Sequence, residues 1–162
     1  MEFRVLGPLE VVDDEGSPLA LGGGKPRALL TALLLEPNRV VSTDRLIDAL
    51  WGDDPPASGA AALQVHVHAL RKALGADRIA TRPPGYALGV APGELDSERF
   101  EQLARDGALD EALALWRGPA LADLADEPFA RSDAARLDER RLTVLEERLD
   151  RDLGAGRHAA VA

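Results

Sequence analysis

Residues 58–74 read Ser58-Gly59-Ala60-Ala61-Ala62-Leu63-Gln64-Val65-His66-Val67-His68-Ala69-Leu70-Arg71-Lys72-Ala73-Leu74, and Gly75 follows. Leu63, Val67, Leu70 and Leu74 are spaced four, three and four apart, which puts them on one stripe of a helix. At about 100° per residue the opposite face carries Ala61, Val65, His68 and Lys72. Gln64 and Arg71 flank that face on one side, Ala62 and Ala69 on the other. No carboxylate stands between Gly59 and Ala73. Such a helix is anchored by its apolar stripe and offers phosphates nothing that repels them.

Working downstream, Gly75 ends the helix. Arg78–Arg82 and Tyr86–Leu88 then read as two strands joined across Pro83-Pro84-Gly85, a hairpin whose tip carries Arg82. Upstream, Ser42 is placed to cap a helix over Thr43–Trp51, with Leu46, Ile47 and Leu50 inward. Before it, Pro26 suits a first helical turn, and Arg27–Glu36 continues as a leucine-rich helix that Pro37 stops. Val40-Val41 is long enough only for an edge strand. The first residues read as two short strands within Phe3–Val12, bent at Gly7-Pro8, a turn at Asp13–Ser17, and a third strand at Pro18–Leu21. Three strands, three helices and a hairpin are the layout of a winged helix. Its third helix, about 58–74, enters a major groove, and its wing, about 78–90, reaches the neighbouring minor groove.

The composition of the 162 residues looks at first unfavourable to that reading. The formal charge is −9, whereas phosphate binding is driven by cations. The charge is unevenly spread. Residues 1–92 carry a net −2 and residues 93–162 a net −7, while the stretch 55–92 stands at +3. Asymmetry of this kind points to two modules with different partners. The 46% hydrophobic content is normal for a packed core, and zero Cys excludes disulfides, a thiol nucleophile and Cys-ligated zinc. That fits a reducing cytosol. No apolar run approaches the roughly 20 residues of a membrane span, and the N-terminus lacks a signal-peptide core.

Three blocks carry a family resemblance. Leu46-Ile47-Asp48-Ala49-Leu50-Trp51-Gly52, Val65–Leu74 and Arg82-Pro83-Pro84-Gly85-Tyr86 resemble the OmpR-type winged helix. Further on, Ala112–Leu121, with its Trp116-Arg117-Gly118-Pro119, and Leu124–Ala130 resemble a bacterial transcriptional activator domain, an all-helical, TPR-like module. In this order the blocks resemble the Streptomyces antibiotic regulatory protein (AfsR/DnrI-like) family over nearly the whole chain. The resemblance implies a mixed fold, with an α+β winged helix-turn-helix over residues 1–92 and a partial, all-α activator module over 93–162. It implies a DNA-binding transcriptional regulator of the activator type, not an enzyme and without a cofactor. Its partners would be double-stranded DNA with a repeated operator and, through the helical module, RNA polymerase or a second copy. Its place would be the cytoplasm, at the nucleoid.

On the matched positions the resemblance implies DNA contacts from Trp51, His66, His68, Arg71 and Arg82, and the exposed face adds Lys72, Gln64, Val65 and Ala69. Each has a plainer reading beside it. Arg71 and Lys72 taken alone are a solvated helix face; within the winged-helix order they are phosphate contacts. His66 lies nearer the buried stripe and is as well a packing residue, whereas His68 points outward. Two histidines two residues apart lie on different faces and do not form a metal pair. Trp51 reads mostly as core, with its indole N–H toward a phosphate. Arg82 has little structural purpose at a hairpin tip. Relatives of the OmpR type often hold arginine where this chain has Ala69, so that position offers no bidentate contact to guanine. Ala62, Val65 and Ala69 suit thymine methyls instead. Gly22-Gly23-Gly24-Lys25 lacks the spacing and the following Ser/Thr of a phosphate loop and reads as a helix lead-in.

The second half holds no catalytic constellation. Phe100, Leu103 and Leu109–Trp116 read as a helical hairpin turning at Asp106-Gly107. Pro128 to about Leu153 reads as a long helix with Leu137, Leu142, Leu145 and Leu149 on its apolar side. Arg157–Ala162 reads as the first turn of another. The alternative to a DNA-binding regulator is a protein-interaction adaptor whose winged helix no longer binds DNA, which Ala69 and the acidity would suit.

Overall fold

A computed structural model describes residues 1–156 of the chain. β1 (Glu2–Arg4) and β2 (Glu10–Val12) form an antiparallel hairpin with Phe3 opposite Val11. The chain bends between them at Gly7, whose φ of +149° suits glycine, and a Cβ there would stand 3.0 Å from the Cβ of Arg117. The third strand expected at Pro18–Leu21 does not form. A single bridge joins Pro18 to Val12, and the Leu19 N–H reaches the Val11 carbonyl at 2.8 Å. Pro18 has no N–H to extend a ladder, and three glycines follow at once.

α1 (Gly24–Leu34) starts within those glycines, earlier than expected, with Pro26 in its first turn. Leu29, Leu30, Leu33 and Leu34 are all buried. β3 (Val41–Ser42) leads directly into α2 (Thr43–Trp51), whose N-terminus is capped as expected: the Arg45 N–H donates to Ser42 Oγ at 3.1 Å. α3 (Gly59–Leu74) buries Leu63, Val67, Leu70 and Leu74, the stripe read from their spacing. β4 (Ile79–Arg82) and β5 (Gly85–Leu88) form the wing, in a sheet of order β3-β5-β4.

The rest of the described chain is helical: α4 (Asp96–Arg105), α5 (Leu109–Ala114) and α6 (Pro128–Gly154). Residues Arg157–Ala162, read as the start of a further helix, lie outside the described residues. The apolar side of α6 differs from expectation. Leu137 is buried, but Leu142 and Leu149 are 59% and 48% exposed, and Leu153 joins them. The inward stripe instead runs Ala130, Ala134, Leu137, Arg141 and Val144, at helical spacing, and beyond it Arg148 and Arg151 are exposed. Arg141 lies over the Trp116 ring, Arg148 meets Asp110 at 2.9 Å, and Arg151 donates to the Gly107 carbonyl at 2.6 Å. Arg141 covers the Trp116 ring and leaves its buried Nε without an acceptor among the described residues, whereas the exposed Arg148 and Arg151 find theirs on the short α5 and the turn before it.

One buried cluster runs unbroken from α1 through the N-terminal hairpin to Phe100, Leu121 and Val144. The hairpin supplies the joint. Phe3 N–H donates to the Glu94 carbonyl at 2.7 Å, and Leu121 N–H to the Val5 carbonyl at 3.0 Å. The buried Asp96 carboxylate accepts from the Val5 and Leu6 N–H groups at 2.8 and 3.1 Å. Arg27 of α1 and the Leu9 N–H both reach Asp123. The winged helix and the helical part are thereby held as one packed body.

Candidate nucleic-acid interface

The α3 stripe fixes the helix against α1 and α2, and this leaves its other face to solvent. Gln64, Val65, His68, Ala69 and Lys72 are all exposed there. Val65 is 65% exposed, which is unusual for a β-branched apolar residue in mid-helix. The side chains of Gln64, His68 and Lys72 make no hydrogen bond or ion pair among the described residues. They are available to a ligand, and the helix brings them together within about three turns.

The wing stands beside this face. Its tip is tied to the start of α2, because the Thr43 N–H donates to the Pro84 carbonyl at 3.0 Å and β5 pairs with β3 through Val41 and Tyr86. Arg82 at the tip is exposed, and its side chain has no partner among the described residues. A free cation on a hairpin tip, beside a helix face without carboxylates, is the electrostatic arrangement a phosphate backbone requires.

Two expected contacts sit differently. Arg71 is half-buried and engaged within the protein. Its Nε and Nη2 donate to the Ile79 carbonyl at 3.1 and 2.8 Å, and Nη2 donates also to Thr81 Oγ1 at 2.9 Å. His66 takes the packing role. Its ring lies 5.9 Å from that of Trp51, and burial, then the charge of Lys25, hold its pKa below the ordinary histidine value. It is therefore neutral at pH 7. Trp51 is partly exposed, and its indole N–H has no partner among the described residues.

Lys25, which the glycine run invited reading as a phosphate-loop lysine, donates to the Leu50 carbonyl and lies 5.6 Å from the centre of the Trp51 ring. The sequence reading gives no role to Thr81, leaves Lys25 in a helix lead-in and places Gly85 only in the turn of the hairpin. Only the last carries a signal, a glycine following two prolines at the wing. Among the described residues no group of three or more His, Cys, Asp or Glu is placed to hold a metal ion, and no helix is long and apolar enough to cross a membrane.

Comparison with known proteins follows the same order along the chain. The family described as "Transcriptional regulatory protein, C terminal" matches residues 17–88, and that described as "Bacterial transcriptional activator domain" matches 90–162. Regulatory protein AfsR of Streptomyces coelicolor is 41% identical over 98% of this chain, which spans 17% of AfsR. Regulatory protein DnrI of Streptomyces peucetius is 38% identical over 99% of this chain, which spans 68% of DnrI. The structure of Mycobacterium tuberculosis EmbR, solved in complex with a low-affinity phosphopeptide, matches with a TM-score of 0.87 at 33% identity. That match covers 99% of this chain and 47% of the EmbR chain.

Proposed function

The chain belongs to the Streptomyces antibiotic regulatory protein (AfsR/DnrI-like) family, and on that premise we propose that it is a sequence-specific, DNA-binding transcriptional regulator of the activator type. α3 enters the major groove and the β4–β5 wing the adjacent minor groove. The observation that carries this reading is one juxtaposition: the exposed, carboxylate-free face of α3 beside the unpartnered Arg82. Gln64, Val65, His68 and Ala69 face base edges, and Lys72 and Arg82 face phosphates and the minor groove. The indole N–H of Trp51 is open to a phosphate from the end of α2, and His66 supports it from beneath.

The division of labour follows the charge. Residues 1–92 read DNA, and residues 93–162, net −7, contact a second copy or RNA polymerase. The exposed Leu142, Leu149 and Leu153 of α6 support that second role. Acidity there also restrains indiscriminate attachment to DNA, because it repels phosphate wherever the α3 face is not docked. The protein performs no catalysis in this account and works in the cytoplasm, at the nucleoid.

The test is a salt-resolved titration on direct-repeat duplexes. Arg82→Ala should weaken binding by about five- to thirtyfold, the effect of losing about 1–2 kcal/mol, and flatten the salt dependence by about one unit of slope. An intact chain that binds no duplex at low salt would defeat the proposal.

A further inference from the structure

Arg71 was expected on phosphate, yet its guanidinium is turned onto the wing. The register of the wing shows what it does there. Gly89 N–H donates to the Arg78 carbonyl at 2.7 Å, so residues 78 and 89 form a hydrogen-bonded pair of the antiparallel ladder. The next pair, Ile79 opposite Leu88, is then a non-hydrogen-bonded one, and its backbone groups point away from the partner strand. On the β5 side this is visible directly, since the Leu88 carbonyl accepts from the Asn38 N–H at 2.9 Å. On the β4 side no further strand stands among the described residues, where β4 is the edge of the sheet. The Ile79 carbonyl would be an orphan acceptor on that edge, and Arg71 supplies it with two donors.

The same guanidinium reaches Thr81, two residues along the strand and hence on the same face as Ile79, and lies 6.0 Å from the centre of the Tyr86 ring. Thr81 and Tyr86 are cross-strand partners. One planar fork thus grips both strands of the wing at their non-hydrogen-bonded pairs and ties them to the last turn of α3. Arg82, the next residue after Thr81, stands on the opposite face of β4 and is left free.

We propose that Arg71 is a positioning residue that sets the angle between the recognition helix and the wing. It fixes where Arg82 meets the DNA and makes little phosphate contact itself. Lysine cannot replace it, because a single ammonium on a flexible stem cannot hold Ile79 and Thr81 in one plane. The inference rests on the DNA-binding reading for its consequence, but its structural half does not.

Hydrogen exchange on the intact, DNA-free chain tests the structural half. Arg71→Ala and Arg71→Lys should both speed exchange across residues 79–88 by about tenfold or more, with α1 and α4 unchanged as the control for folding. Titration with duplex DNA then separates positioning from contact. Positioning predicts that Arg71→Lys loses affinity as Arg71→Ala does, and that Arg71→Ala adds less than about twofold once Arg82 is already alanine. A phosphate contact predicts the reverse: unchanged exchange in the wing, affinity kept by lysine, and a salt slope lower by about one unit even in the Arg82→Ala background. That pattern would overturn the proposal. If no form of the chain binds DNA, the functional reading fails, while the exchange data still decide whether Arg71 holds the wing.

Discussion

Gly85 lies so close to Val41 that a Cβ at position 85 would stand 1.9 Å from the Val41 carbonyl oxygen. The close approach lets β5 pair with β3, and it seats the wing on the chain just before α2. Alanine at this position has no space to occupy. Gly85→Ala should cost about 2–4 kcal/mol, or release β3 from the wing, because the obstacle is backbone that cannot swing aside. Chemical denaturation measures the first outcome and the exchange of amides at 41–43 and 85–88 the second. DNA affinity should fall with either.

Asp96 makes the second prediction. Its buried carboxylate takes the N–H groups of Val5 and Leu6, one on each oxygen. Asp96→Ala should destabilise the chain by about 2–4 kcal/mol, the cost of leaving two buried donors unpaired. The N-terminal hairpin should lose exchange protection before the α1–α3 core does.

Acid should loosen the same joint from another side. The Arg78 guanidinium, which meets Glu94 at 2.5 and 2.7 Å, together with the Ala91 N–H holds the Glu94 carboxyl down to about 2. A lowered carboxylate pKa contributes stability above the ordinary value of 4.5 and loses it as pH falls from there toward 2. Asp96 acts in the opposite sense: burial raises its pKa, so it takes up its proton earlier in the fold than in the unfolded chain and offsets part of the loss. A stability profile from pH 6 to pH 2, with about 2 kcal/mol of its acid slope removed by Glu94→Gln, checks the sign.

Val65 should matter to sequence preference and not to stability. Because it is 65% exposed, Val65→Ser should leave the unfolding midpoint within about 0.5 kcal/mol. On DNA the same change should relax a preference for thymine at one position by about 1 kcal/mol, as expected when an apolar contact to its methyl group is lost. Binding to duplexes that carry uracil in place of thymine gives the complementary measurement.

Much of this architecture was legible in the residues. The Leu63–Leu74 stripe, the Ser42 cap and the hairpin across Pro83-Pro84-Gly85 are local signals, and each is found where its spacing puts it. The failures share one cause, dependence on contacts distant in sequence. Pro18–Leu21 looks like a strand until one asks for a partner with a matching ladder. Leu142 and Leu149 look like core until Arg141 proves to take the inward position over Trp116, with Arg148 and Arg151, still exposed, reaching Asp110 and Gly107. Arg71 reads as a surface cation because its acceptors, Ile79 and Thr81, come together only when the wing folds back on α3. The attachment of residues 3–9 to residues 94–123 has no local signature at all.

The central claim is that α3 and the wing read DNA, and selection of bound duplexes from a random pool tests it most directly. The account predicts enrichment of a repeated motif with half-sites about one helical turn apart, A·T pairs opposite Val65 and Ala69, and loss of the enrichment in Arg82→Ala. A pool that emerges as random as it entered, at low salt and with the chain shown to be folded, would contradict it.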